Sequence, residues 1–247
     1  MKHLRGVAAR GAAAILLGAW ALPGCSGGDA PGEAARSAAP GKIAHDQAHE
    51  SGEGDGPRGG SGRSEEGWTV TVYYTAVESY HDGEPVEVTG CPVLECTHGD
   101  SELGSYPEDF VNAVKEEGAG RIDAGPHAGE YLNWAYDVGY WLDSAPRDSQ
   151  GDPLEPFVSA AADADVLSRG DQVRIEDCGT DEEGDPIDPE ACATLSEAAW
   201  VVTDEFTPGF GGERHMDVYI GEETGPDFTD SPLYTTLNNA TLTITHF

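Results

Sequence analysis

Positive charge is what this sequence lacks most. Its 247 residues include 13 lysines and arginines against 46 aspartates and glutamates, a formal net charge of −33. Nucleic-acid binding draws its affinity from clustered Lys and Arg on phosphate, so composition excludes a nucleic-acid partner. The same deficit opposes direct adhesion to anionic lipid, and its plainest consequence is solubility with self-repulsion. Motifs are missing too. There is no P-loop and no His-Glu-x-x-His, which removes the nucleotide and zincin readings. No cofactor is called for. There is no internal repeat, and no apolar run is long enough to span a bilayer by itself.

One shorter apolar run exists. Lys2, Arg5 and Arg10 precede the stretch Gly11 to Leu22, and charged-then-apolar is the layout of a secretory signal. It ends in Leu22-Pro23-Gly24-Cys25, which resembles a bacterial lipobox with Cys25 as the lipidated residue; an ordinary signal peptide with a chance cysteine is the alternative. Cysteines are few, five in all, and an odd number in an exported chain needs an explanation. Lipidating Cys25 leaves four. The nearest pairing is Cys91–Cys96 and Cys178–Cys192, each closing a local loop in a compartment that permits disulfides. A zinc site lacks both a Cys-x-x-Cys pair and a spaced histidine partner. The expected location is extracytoplasmic, on the outer face of the cell membrane, held by lipid at Cys25.

Residues 26–67 contain almost no large apolar side chain and cannot bury enough surface to fold. They read as a disordered Gly/Ala/Glu-rich tether with an r.m.s. span of roughly 35 Å. The folded domain is expected at 68–247, long enough for one core. "WTVTVYYTAV" alternates, with Val70, Val72 and Tyr74 on one face and Thr69, Thr71 and Tyr73 on the other, as in a half-buried strand. "YPEDFVNAVKEEGAG" reads as a helix begun at Pro107 and stopped by Gly118. "EYLNWAYDVGYWLD", "DQVRIEDCG", "AAWVVTDEF", "HMDVYIG" and "ATLTITHF" read as further strands, and "DCGTDEEGDPIDPEAC" as an acidic turn segment. Its carboxylates, Asp181 to Asp188, lack the regular spacing of an EF-hand calcium loop. Short strands, turn-rich connections and one clear helix indicate a small, mostly-β barrel.

The run "SAAADADVLSRGDQVRI" (159–175) resembles the segment of the three-aspartate (3D) domain family in which an aspartate precedes an apolar pair and a glycine; Asp163, Val166, Leu167 and Gly170 occupy those positions. "VTDEFTPGFGGERHMDVYIG" (202–221) is similar to the family's second signature, an aspartate, a Gly-rich turn and an aspartate inside an apolar strand, and supplies Asp204, Gly211, Gly212 and Asp217. "HMDVYIG" also looks like the matching strand of the A-type membrane-bound lytic transglycosylases, and "TVYYTA", with Tyr74 and Thr75, resembles the opening strand. The resemblance spans 68–247 apart from about 92–150, and Glu205 to Pro208 stand where the family has Thr-Gly-Gly. It implies a six-stranded double-psi β-barrel with one or two helices in insertions. It implies cleavage of peptidoglycan glycan strands by a tethered enzyme, and a monomer is expected. It places Asp217, Asp204 and Asp163 in the catalytic site and Tyr74, Thr75, Gly211 and Gly212 against substrate. Expansin-like barrels that bind polysaccharide without cutting it are the alternative.

The chemistry is compatible with that reading. Carboxylates converging on one groove cannot all ionise, and one kept protonated can donate to a glycosidic oxygen. Lytic transglycosylation needs a single such group. Each aspartate has a plainer role as well: Asp217 facing solvent, Asp204 capping a turn, Asp163 in a turn with Asp165. Tyr73, Tyr74, Trp134 and Trp141 either stack on sugar rings or pack the core. His215 is expected on the barrel face opposite Asp217, in solvent.

Overall fold

The computed structural model describes residues 62–94, 96–206 and 211–246. The signal segment, Cys25 and nearly all of the tether lie outside the described residues. Among the described residues, no helix is long and apolar enough to cross a membrane.

Strand β1 runs from Arg63 to Val77, so it takes in the residues 63–67 ahead of Trp68. There follow β2 (Pro85–Gly90), β3 (Ser101–Pro107), α1 (Glu108–Glu117), β4 (Ala119–Arg121), β5 (Tyr131–Ala135) and β6 (Gly139–Asp143). The second half holds β7 (Ser159–Ala162), β8 (Gln172–Asp177), α2 (Pro189–Glu197), β9 (Trp200–Glu205), β10 (His215–Glu222) and β11 (Leu237–Thr245). Hydrogen bonding runs β1-β10-β7-β9-β8-β11 and back to β1, which closes a six-stranded barrel. The β1–β10 and β7–β9 seams are parallel and the other four antiparallel. Closure leaves these strands without a free edge. Trp68, Val70, Trp200, Val202, Met216, Val218, Leu237 and Leu242 are buried in the core.

Between β1 and β7 the chain makes the excursion that the family resemblance leaves unmatched. β4 pairs with the far end of β1, Ala76 opposite Gly120, and carries β5 and β6 outward. α1 packs Phe110 and Val114 inward; Glu108 and Asp109 suit its N-terminal dipole, and Gly118, at φ 91°, ends it in the left-handed conformation with its N–H on the Val114 carbonyl. "EYLNWAYDVGYWLD" is two strands rather than one: Tyr136 to Val138 turn the chain and Gly139 takes φ 82°. The acidic segment at 178–192 likewise contains more than turns. Asp188 caps α2 by accepting from the N–H groups of Glu190 and Ala191, with Pro189 in the first turn, and Ala191 and Leu195 fall on one buried face. Both local disulfides are present, Cys91–Cys96 and Cys178–Cys192.

Candidate active site

β10 carries Met216 and Val218 fully buried, so the alternation of the strand turns Asp217 away from the core. Pairing places Asp217 in a row across the sheet: Thr71 on β1, Asp217 on β10, Ala161 on β7 and Asp204 on β9. Two carboxylates thus flank one alanine, whose small side chain leaves space above it. A register shift between Tyr73 and Thr75 bends β1 there. Tyr73 stays with the groove, while Tyr74, Thr75, Ala76 and Val77 are all buried.

That space is a groove of about 790 Å³. Tyr73, Ala161, Asp204 and Asp217 form its barrel wall. The facing wall comes from the excursion: Lys115 to Gly118 at the end of α1, Trp134 to Val138 around the β5–β6 turn, Trp141, and the loop Arg147 to Gly151. The size lies in the range of ligand-binding clefts. The Lys115 ammonium lies 5.8 Å from the centre of the Trp134 ring, and Tyr136 is 73% exposed at the lip. A separate cavity of about 510 Å³, lined by Phe157, Ile220, Phe228 and Leu233 among others, contains none of the three aspartates.

Asp217 is 25% exposed and receives two contacts on the same oxygen. The Thr71 hydroxyl donates to Oδ1, and His215 Nε2 lies 3.1 Å from Oδ1. The expectation for His215 is therefore corrected. Residues two apart on a strand share a face, so His215 sits beside Asp217 and not behind it. Its Nδ1 is 2.8 Å from the Gly211 carbonyl, and its ring stacks on Phe206 at 5.1 Å. A carbonyl only accepts, so Nδ1 carries a hydrogen and Nε2 is the nitrogen that titrates against the carboxylate. The hydrogen bond to Asp217 raises the His215 pKa above its ordinary value, against the opposing effect of burial.

Each of the other two aspartates has its own backbone partners. Asp204 Oδ1 accepts from the N–H groups of Ser149 (2.7 Å) and Glu205 (2.9 Å), which fastens the 147–151 loop to β9; burial raises its pKa. Asp163 is 4% exposed and does not line the groove. Its Oδ2 accepts from the Gly212 N–H at 2.8 Å, and its carbonyl accepts from Val166 and Leu167. It braces the β9–β10 loop on the far side of His215. Gly211 is required there: a Cβ would stand 2.1 Å from the Phe206 ring and 3.1 Å from the Asp163 carboxyl carbon.

Tyr74 and Thr75 are not brought to the groove. The Tyr74 ring packs on Phe228 and Tyr234, and the Thr75 hydroxyl bonds Tyr219 in the interior. Their neighbour Tyr73 faces the groove instead, with Trp134 and Trp141 opposite. Sequence reasoning missed Glu117. Its carboxyl accepts from the Tyr234 hydroxyl (3.0 Å) and the Tyr74 N–H (3.3 Å), and burial pushes its pKa up to about 8. The signal for it was weak, a glutamate one residue before the glycine that ends α1.

No family model matches the chain, and no curated protein matches it in sequence. Among solved structures it is similar to E. coli MltA with bound chitohexaose, at 14% identity over 73% of this chain and 71% of that one, with a TM-score of 0.50. The membrane-bound lytic murein transglycosylase from Agrobacterium tumefaciens follows at 11% identity over 72% and 73% of the two chains, TM-score 0.44. MltA from Neisseria gonorrhoeae gives 11% identity over 71% of each chain, TM-score 0.43. At such identities the likeness is one of fold.

Proposed function

We propose that this chain cleaves peptidoglycan glycan strands as a lytic transglycosylase, on a double-psi β-barrel of the three-aspartate kind, with Asp217 as its acid–base residue. The observation that carries the reading is the position of Asp217. It projects from a rigid strand into an open, aromatic-walled groove, with Oδ1 held by Thr71 and His215. The similar fold that is solved with chitohexaose supports a glycan strand as the occupant.

In this mechanism a protonated Asp217 donates to the glycosidic oxygen as the C1–O bond breaks, and positive charge develops at the ring. The resulting carboxylate then takes the proton from the sugar's own C6 hydroxyl as that oxygen bonds to C1. One 1,6-anhydro end and one free 4-hydroxyl end form, no water is consumed, and Asp217 regains its proton. Thr71 and His215 position the carboxyl. Asp204 acts by holding the 147–151 loop that forms part of the opposite wall, and Asp163 with Gly211 and Gly212 by shaping the loop on which His215 rests. Tyr136 and Trp134 offer ring faces to the sugars. The protein works outside the cytoplasm as a monomer tethered through lipid at Cys25.

The test is digestion of purified peptidoglycan followed by mass spectrometry, with anhydro-muropeptides as the expected products. A second reading, a wall-binding barrel without turnover, is favoured by one observation: Asp204 and Asp163 each spend an oxygen on backbone N–H groups. Binding to sacculi with no anhydro ends formed would establish it.

A further inference from the structure

The mechanism proposed above needs a proton on Asp217, and the fold sets a titrating nitrogen against it. Three polar atoms meet over the parallel seam of β1 and β10, where Thr71 stands opposite Asp217 and Thr69 opposite His215. Thr71 Oγ1 donates to Asp217 Oδ1 and lies 3.1 Å from His215 Nε2, and the same Nε2 lies 3.1 Å from that Oδ1. The triangle is oriented from behind. The Gly211 carbonyl holds a hydrogen on Nδ1, so the second ring proton, when present, sits on Nε2 and points at the threonine and the carboxylate. A hydroxyl that donates to Oδ1 keeps its lone pairs for Nε2–H, so every member is satisfied when the ring is protonated and the carboxyl is not.

We infer that His215 and Asp217 hold one proton between them, and that this proton, stored on Nε2 in the free protein, is the one Asp217 delivers to the glycosidic oxygen. This deepens the proposed function and rests on it. The step balances. Nε2 gives its proton to Oδ1, which leaves a neutral imidazole and a carboxylic acid. The carboxyl passes the proton to the leaving oxygen as the C1–O bond breaks. It takes another from the C6 hydroxyl as that oxygen bonds to C1, and the proton returns to Nε2. His215 touches no sugar in this scheme and is a positioning residue, acting through Asp217. Entry of an uncharged glycan drives the transfer, because displacing water from an ion pair disfavours both of its charges. The surroundings keep the proton in the pair. Asp163 acts on the ring from the β9–β10 loop. Glu116 and Glu117 of α1, Asp137, Asp148, and Asp204 and Glu205 of β9 line the groove. The cations nearby are engaged elsewhere: Arg147 on Asp143 at 2.5 Å, Lys115 against the Trp134 ring, and Arg214 on the Glu66 carbonyl. The raised pKa of His215 agrees with this, its chief cause being the hydrogen bond to Asp217, with the Asp163 charge adding to it.

The test is the pH profile of anhydro-end formation from purified peptidoglycan. With a shared proton the wild type stays active past the ordinary histidine value of about 6.5 and loses activity only as the pH rises through the higher folded value of His215. His215→Gln leaves a neutral donor beside Oδ1 and no proton to give. Its alkaline limb should therefore fall by about one pH unit or more, toward the ordinary carboxylate range, while the rate at the acid end of the profile, where Asp217 carries its own proton, is largely kept. Asp163→Asn retains an acceptor for the Gly212 N–H and removes a charge that favours the protonated ring. Its limb should fall too, by less, and it gives the same reading should His215→Gln fail to fold. A limb that stays in place in both variants overturns the shared proton. So does an equal loss of rate at every pH, which is the mark of a histidine that only steadies the carboxyl. A limb that moves in Glu117→Gln and not in the other two belongs to Glu117, whose carboxyl burial raises to about 8, and overturns the pairing as well. In these cases anhydro ends still form and the proposed function stands. A wild type that forms none at any pH overturns both.

Discussion

At the scale of single residues, the chemistry proposed above rests on a carboxylate held by its neighbours. Asp217→Asn keeps the shape of the side chain and its Oδ1 acceptor for Thr71, but can neither give nor take a proton. Turnover on peptidoglycan should fall by about 10²–10⁴-fold, and initial rates of anhydro-end formation measure it. The same substitution tests the pair. The hydrogen bond to Asp217 is the chief reason that the His215 pKa is raised, so the His215 ring should titrate at lower pH in Asp217→Asn, as its NMR shifts will report. A histidine pKa raised by folding stabilises the protein fully below the unfolded value of about 6.5, and that contribution is lost as the pH rises through the folded value. Glu117 behaves with the same sign for a different reason. Burial raises its carboxyl to about 8, so its neutral form is accommodated below the unfolded value of roughly 4.5, and stability drains away as the pH rises through the folded one. Solvent at the groove mouth screens part of the cost, leaving about 2 kcal/mol between pH 5 and pH 9. Urea melts of wild type and Glu117→Gln at both pH values should show that drop in the wild type and little of it in the variant.

At the scale of elements, the disulfide between Cys178 and Cys192 ties the end of β8 to the first turns of α2 across 14 residues. Replacing both cysteines by alanine should cost about 3 kcal/mol in denaturant unfolding. Activity should persist, since neither residue lines the groove. Which elements the sequence discloses follows from their surroundings. β1, β8, β9, β10 and β11 carry buried apolar residues alternating with polar ones, and α1 has a start, a stripe and a glycine stop, so each is legible. β7 is not. Ser159 and three alanines are weak strand formers, and all four are buried between β10 and β9, so no alternation remains to be read. "EYLNW" looks like the missing barrel strand but belongs to the excursion, because a pattern shows that a segment is a strand without showing which strand it joins. α2 hides behind its acids, although Asp188-Pro189 is a cap and a first turn. The site was legible to the same degree. Asp217 stands out as a charge inside an apolar strand, and the period of two, applied correctly, also delivers His215. Glu117, Ser149 and Arg147 reach the groove only through tertiary packing, which leaves no local mark.

At the scale of the whole molecule, the formal charge of −33 acts as a self-repulsion that folding concentrates. Screening it should help: with a Debye length of about 30 Å at 0.01 M and 8 Å at 0.15 M, the melting temperature should rise between those ionic strengths. A flat salt dependence by calorimetry would show the charges to be locally balanced. The seam that closes the barrel has a further consequence, in time rather than in space. Thr71 and Asp217, whose side chains touch, are 146 residues apart, and β1 must also pair with β11, the last of the described strands. Contacts so distant in sequence are slow to form, on the order of milliseconds to seconds, because the loop must close before any pairing rewards it. A chain truncated before Leu237 should show no cooperative melt at all. A nascent chain therefore cannot assemble the acid–base centre proposed above until Asp217, 146 residues beyond Thr71, has emerged, and a protein proposed to cut the cell's own wall stays inert for that part of its synthesis.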